Sequence, residues 1–122
     1  MTPSKVLVIE DQERVRELFE IFLTKKGLSV ISSGRGIEGV NLARAQKPSI
    51  IMIDVKLPDI DGIEVLTRIR EFDKDSKIFV LSGLYTEEVE KEAMAAGATA
   101  FLCKSSGIDV IVNTVVEAKI NP

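Results

Sequence analysis

Glu10 and Asp11 directly follow the apolar run Val6-Leu7-Val8-Ile9, Asp54 ends the run Ile50-Ile51-Met52-Ile53, and Lys104 follows Ala100-Phe101-Leu102-Cys103. A charged side chain placed straight after a short apolar run marks where a buried strand stops. In a parallel sheet such stops share one edge, so groups far apart in sequence converge there. Carboxylates crowded together repel and hold their protons more tightly unless a cation joins them. The residue types suit a metal and phosphoryl site. Carboxylate oxygens are ligands for a hard divalent cation, and a carboxylate can act as a nucleophile and form an acyl phosphate. Phosphoryl transfer depends mainly on positioning and charge neutralisation, for which lysine supplies a compact charge.

The composition narrows the chemistry further. The chain has 122 residues and no histidine, which removes Ser-His and Cys-His catalysis. With one cysteine most zinc sites are removed as well. Any phosphohistidine in this chemistry must belong to a partner. The formal net charge of −3 argues against direct nucleic-acid binding, which requires a basic face. No apolar stretch approaches the roughly 20 residues of a membrane span, and Met1-Thr2-Pro3-Ser4-Lys5 lacks the apolar core of a signal peptide. Cys103 has no second cysteine to pair with. These features predict a cytoplasmic protein with no membrane partner. A 45% hydrophobic content suffices for a core without disulfides. No linker, repeat or low-complexity stretch interrupts the chain, so a single domain over 1–122 is expected.

Apolar runs and helical stripes alternate five times. Residues 5–9 read as the first strand. Val15, Leu18, Phe19, Phe22 and Leu23 form a helical stripe that Gly27 closes. A weaker strand follows at 28–31, then a helix at 37–45 with Pro48 just beyond it. The third strand, 50–53, is apolar throughout, as for a strand covered on both faces. Ile63, Leu66 and Ile69 mark the third helix. The fourth strand covers 78–81, and a helix over 86–96 has Thr86 as N-cap and Gly97 as its stop. Residues 100–103 form the fifth strand. Ser106-Gly107-Ile108-Asp109 reads as a helix-start box, and Ile108, Ile111, Val112, Val115 and Val116 form the core stripe of the last helix. Such alternation predicts an α/β fold, a doubly wound five-stranded parallel sheet with helices on both faces. Ligands of such sheets bind beyond the carboxyl ends of the strands, where the strand order reverses.

With these elements placed, the chain resembles a response-regulator receiver domain of two-component signalling, similar to the chemotaxis receivers, along essentially its whole length. The motifs are Val8-Ile9-Glu10-Asp11, Met52-Ile53-Asp54, Leu57-Pro58-Asp59-Ile60-Asp61-Gly62, Leu81-Ser82-Gly83 and Phe101-Leu102-Cys103-Lys104. The resemblance implies a flavodoxin-like (βα)5 fold with strand order 2-1-3-4-5. It implies a phosphorylation-dependent switch in which Asp54 accepts a phosphoryl group from a sensor histidine kinase or phosphotransfer protein. Asp11, helped by Glu10, would hold Mg²⁺ with Asp54 and the backbone carbonyl of Lys56. Ser82 and Lys104 would contact the phosphoryl group, and Ser82 and Phe101 would carry the switch. The output would be a downstream protein or a covalently attached domain, reached through the fourth helix, fifth strand and last helix. Val110 lies off the main stripe of that last helix, which leaves room for a homodimer through that face. The chain would not be an enzyme in its own right, although it would assist its own phosphoryl transfer and autodephosphorylation.

Several positions depart from the family's common pattern. Phe101 stands where tyrosine is frequent and offers no hydroxyl. Ser105 follows Lys104 where proline is common. A non-proline cis bond costs about 2.5–4 kcal/mol, so a trans bond is expected there. Gly83 should leave its loop mobile. Lys56 and Leu84 flank the path of a hydrolytic water and neither orients it, so slow self-dephosphorylation is expected. Asp59 and Asp61 read as turn residues between Pro58 and Gly62, Cys103 as a small buried apolar group, and Glu87, Glu88, Glu90 and Glu92 as a solvated helix face. Ser82 has a local reading too, in which its hydroxyl satisfies nearby backbone. The alternative function is a receiver-like interaction module that works without phosphorylation. A haloacid-type phosphatase would want an acid where Lys56 stands, and a flavin carrier would not place Glu10 and Asp11 against a phosphate.

Overall fold

A computed structural model describes residues 4–120, with side chains to 118. The terminal residues 1–3 and 121–122, on which the leader and chain-end readings fall, lie outside the described residues. Five strands, β1 (Lys5–Ile9), β2 (Ser29–Ser33), β3 (Ile50–Asp54), β4 (Lys77–Ser82) and β5 (Ala100–Cys103), alternate with five helices. These are α1 (Glu13–Lys25), α2 (Gly36–Gln46), α3 (Gly62–Arg70), α4 (Glu87–Ala95) and α5 (Ile108–Ile120). Every strand pair is parallel and the order is β2-β1-β3-β4-β5, which matches the expected fold.

Alternation along each strand divides the core into two layers. Leu7, Ile9, Ile51, Ile53, Ile78 and Val80 pack against α2, α3 and α4 through Val40, Leu66 and Ala93. Val6, Val8, Ile50, Met52, Phe79 and Leu81 face α1 and α5, meeting Phe19, Leu23, Ile111, Val112 and Val115. The register then aligns the strand ends. Ile9 pairs with Ile53, Asp54 with Leu81 and Ser82 with Cys103, so Glu10, Asp54, Ser82 and Lys104 leave the sheet at one edge.

Most boundaries agree with the sequence reading. Thr86 Oγ1 accepts from Val89 N–H at 3.1 Å at the start of α4, and Gly97 ends that helix at φ 107, a left-handed conformation that favours glycine. Two boundaries moved. β2 runs through Ser32 and Ser33, because as an edge strand it is held by its ladder to β1 rather than by apolar side chains. α5 starts at Ile108, one residue later than a start box led by Ser106 implies. Lys104–Ser106 forms a 3₁₀ turn, and Gly107, at φ 95, carries the carbonyl that receives Ile111 N–H. Cys103, expected to be buried, is half-buried. The Lys104–Ser105 bond is trans, and there is no cis peptide bond among the described residues. No described helix is long and apolar enough to cross a membrane.

Candidate functional site

β1 delivers Glu10 into the sheet edge with 0% of its surface exposed, and β3 delivers Asp54 with 4%. Asp11, one residue further on, is exposed. Carboxylate oxygens of Glu10, Asp11 and Asp54 lie within 4.8 Å of one another. Lys104 crosses to them from the end of β5. Its Nζ is 2.7 Å from Asp54 Oδ2 and 2.6 Å from Glu10 Oε1. The contact to Asp54 is a hydrogen bond. The contact to Glu10 is a charge contact without hydrogen-bond alignment, and Glu10 Oε1 is otherwise a buried oxygen lacking a donor. Its second oxygen accepts from Gln12 N–H at 3.1 Å.

Burial pushes the Glu10 carboxyl up to about 7; Lys104 opposes that shift, and the neighbouring Asp54 charge adds to it. Burial alone would lower the Lys104 ammonium, but its close contacts with the Asp54 and Glu10 carboxylates outweigh it and raise the group. The carboxylates thus share one cation, whereas three hard oxygen ligands within a cation's reach can satisfy a divalent ion. The donor set fits Mg²⁺ or Ca²⁺ better than a soft metal.

The β3–α3 loop is shaped by its backbone. Val55 N–H continues the ladder to Leu81 O at 3.0 Å, Lys56 N–H donates to Asp54 Oδ1 at 3.2 Å, and Gly62 N–H returns to Val55 O at 2.8 Å. A Cβ on Gly62 would collide with the Asp54 carbonyl, so only glycine allows α3 to begin this close to the strand. Asp61 caps α3 through Ile63 N–H at 2.6 Å. Asp59 reaches across to α2 and accepts from Gly36 N–H at 2.8 Å and Ile37 N–H at 2.9 Å. Those amides, Ile37 foremost, hold its carboxyl down to about 2. Asp61 therefore caps the helix that follows its own turn, whereas Asp59 caps α2 from outside, a contact that its turn setting did not foretell.

The opposite wall differs. Ser82 borders the same cleft of about 550 Å³ as Asp11, Asp54, Lys56 and Lys104. Its hydroxyl, however, donates to Leu84 O at 2.7 Å and receives Leu84 N–H at 3.2 Å. This is the local reading of Ser82, a turn that the side chain closes on its own loop. Phe101 is half-buried beside the α2–α4 layer, and its ring meets Tyr85 edge-on with centroids 6.0 Å apart. Tyr85 donates its hydroxyl to Glu90 Oε1 at 2.8 Å.

The sequence reading did not single out Tyr85. An aromatic lying between the Ser82 turn and the Thr86 cap was the available signal. It also passed over Arg16, whose Nη1 donates to the Glu10 carbonyl at 2.7 Å; at helical spacing that residue looks like part of an ordinary amphipathic helix.

The family described as "Response regulator receiver domain" matches residues 6–116. The chain is 34% identical over 105 residues to chemotaxis protein CheY of Treponema pallidum, covering 84% of this chain and 73% of that protein. It is 29% identical over 111 residues to the transcription regulator BvgA of Bordetella pertussis. That match takes in 90% of this chain and 53% of BvgA, so the chain spans about half the length of that relative. Among solved structures, the CheX–CheY–BeF3–Mg²⁺ complex of Borrelia burgdorferi contains a chain that superposes with a TM-score of 0.88 at 26% identity, covering 95% of this chain and 89% of that one.

Proposed function

The chain belongs to the response-regulator receiver family, and we propose that Asp54 is its phosphoacceptor, served by a Mg²⁺ ion that Glu10, Asp11, Asp54 and the Lys56 carbonyl hold. As a receiver of two-component systems it is a phosphorylation-dependent signalling switch. The observation that carries the site assignment is the convergence of three carboxylate ligand atoms within 4.8 Å on a lysine that bridges two of them at 2.6 and 2.7 Å.

Each residue then has a distinct part. An Asp54 oxygen attacks the phosphorus of a partner's phosphohistidine, forming the acyl phosphate as the P–N bond breaks. A cation held by Glu10, Asp11, Asp54 and the Lys56 carbonyl would supply neutralising charge for the phosphoryl oxygens. Lys104 exchanges its bond to Asp54 for one to a phosphoryl oxygen. Ser82 must give up the Leu84 carbonyl to donate to the same group. The added charge of roughly −1.5 to −2 then biases the packing of the surrounding loop. Neither Leu84 nor Lys56 orients a hydrolytic water, so autodephosphorylation is slow. A histidine kinase or phosphotransfer protein supplies the phosphoryl group in the cytoplasm, and an output protein or attached domain reads the response.

Acetyl phosphate with Mg²⁺ tests the assignment. Intact-mass measurement should show one phosphoryl group on the wild-type chain and none on Asp54→Asn. An unmodified wild-type chain, also indifferent to beryllofluoride, would instead favour an interaction module that works without phosphorylation.

A further inference from the structure

Every polar atom of Glu10 has a fixed neighbour. Its N–H donates to Ser33 O of β2 at 3.0 Å, Oε2 takes Gln12 N–H, and Oε1 faces Lys104. The remaining atom, the carbonyl, takes Arg16 Nη1 at 2.7 Å. Arg16 sits in the first turns of α1, where its own N–H bonds Gln12 O at 2.9 Å, so its side chain turns back over the loop from which the helix starts. It shares the inward stripe with Phe19 and Leu23, three and seven residues on, both buried. An apolar side chain is the default there. The room for the guanidinium comes from Gly34. A Cβ at that position would stand 2.9 Å from Arg16 Nη1 and 3.8 Å from the Glu10 carbonyl oxygen.

The bonded carbonyl belongs to the peptide joining Glu10 to Asp11. Fixing that peptide plane fixes the direction in which Asp11 leaves the strand. Unlike its two partners, Asp11 is exposed, and no hydrogen bond to its carboxylate is seen among the described residues. We infer that Arg16 is a positioning residue for the metal site: through the Glu10 carbonyl, and in the space left by Gly34, it aims the Asp11 carboxylate at the cation. The inference rests on the proposed metal-binding reading. Groups that orient metal ligands commonly change affinity 10- to 100-fold when removed.

The sign of the effect separates positioning from simple charge. Arg16 is itself a cation close to the cation site, so through Coulomb repulsion alone its removal would tighten Mg²⁺ binding. Positioning predicts weaker binding. Two variants disturb the contact in different ways. Arg16→Met keeps an apolar stem and removes charge and donors. Gly34→Ala keeps the charge and displaces only the tip of a flexible side chain. Arg14→Met removes an exposed cation from the same helix and serves as the charge control.

Calorimetric titration of the full chain with Mg²⁺ alone, beside apo thermal unfolding, decides. Arg16→Met and Gly34→Ala should each raise the Mg²⁺ Kd about tenfold, with Arg14→Met unchanged or slightly tighter. If Arg16→Met does not fold, Gly34→Ala carries the test. Equal or tighter binding in Gly34→Ala and in a folded Arg16→Met would overturn the inference, even with a lowered unfolding temperature. A wild-type chain that binds no Mg²⁺ would overturn the metal reading itself, and the role of Arg16 with it.

Discussion

At the ends of β1 and β3, Glu10 is fully buried with its backbone held from two other elements, and Asp54 is bonded to Lys104 and to the Lys56 amide. At the ends of β4 and β5, the Ser82 hydroxyl bonds its own loop, Leu84 and Tyr85 are 73% and 54% exposed, and Phe101 rests on Tyr85 by a ring edge. Both regions border one cleft, yet they are built differently. A preorganised cluster of like charges stores electrostatic strain that a cation can relieve. A loosely packed aromatic pair beside an exposed loop has few contacts to lose when it moves. The difference suits chemistry on the first side and a change of shape on the second.

The sharpest way to break the first region is Lys104→Met. It would leave Glu10 and Asp54 buried against each other without their shared cation, at a cost of about 3 kcal/mol. Urea unfolding at pH 8 without divalent ions should show that loss, and added Mg²⁺ should recover much of it. A loss that Mg²⁺ leaves untouched would mean that the cluster is structural and not a metal site.

Next in size is a pH effect. Glu10 lies at about 7 in the folded chain against an ordinary 4.5, so between these values the folded state binds the extra proton. Stability therefore falls as pH rises through that window, by on the order of 3 kcal/mol from this group. Unfolding midpoints measured without Mg²⁺ should be higher near pH 5 than near pH 8, and Glu10→Gln should flatten the slope. Saturating Mg²⁺ should reverse it, because a ligating carboxylate must be deprotonated. The Asp59 carboxyl, held near 2 against an ordinary 3.8, works in the opposite sense. It stabilises the fold above 3.8, and this contribution fades only as pH falls from there towards 2. The two windows do not overlap.

The second region should respond weakly in stability and strongly in signal. Ser82→Ala removes a local turn bond worth about 1 kcal/mol or less, and it should leave the Mg²⁺ Kd within about twofold. The chain has one tyrosine and no tryptophan, so its intrinsic emission reports Tyr85 alone. Beryllofluoride with Mg²⁺ should change that emission in the wild-type chain, and Ser82→Ala should suppress the change. Similar in size, Phe101→Leu gives up the edge-on ring contact at about 0.5–1.5 kcal/mol and should shift Tyr85 emission before any ligand is added. An unaltered response in Ser82→Ala would detach the two regions from each other.

Much of this organisation is legible in the sequence, because periodicity records burial and local backbone needs. Apolar runs ending in Glu10 and Asp54 mark strands that are covered on both faces and stop at a site, and the run ending in Lys104 marks the half-buried edge strand beside them. Helical stripes through Phe19 and Leu23 or Val112 and Val115 mark the layers that cover them. Asp61 and Thr86 cap helices that begin beside them, and Gly97 ends one. All of these depend on neighbours within a turn or a strand. Tertiary structure alone decided which distant atoms meet. The serines of β2 belong to a strand only because β1 supplies the ladder. Asp59 caps a helix more than twenty residues earlier, Arg16 reaches its carbonyl only where Gly34 leaves a gap, and Phe101 finds Tyr85 rather than a hydroxyl of its own. Ser82 sits at the cleft edge, as its position after β4 foretells, but its rotamer closes a turn on Leu84. Such choices depend on sheet register and side-chain direction, which the order of residue types does not encode until the strands have paired.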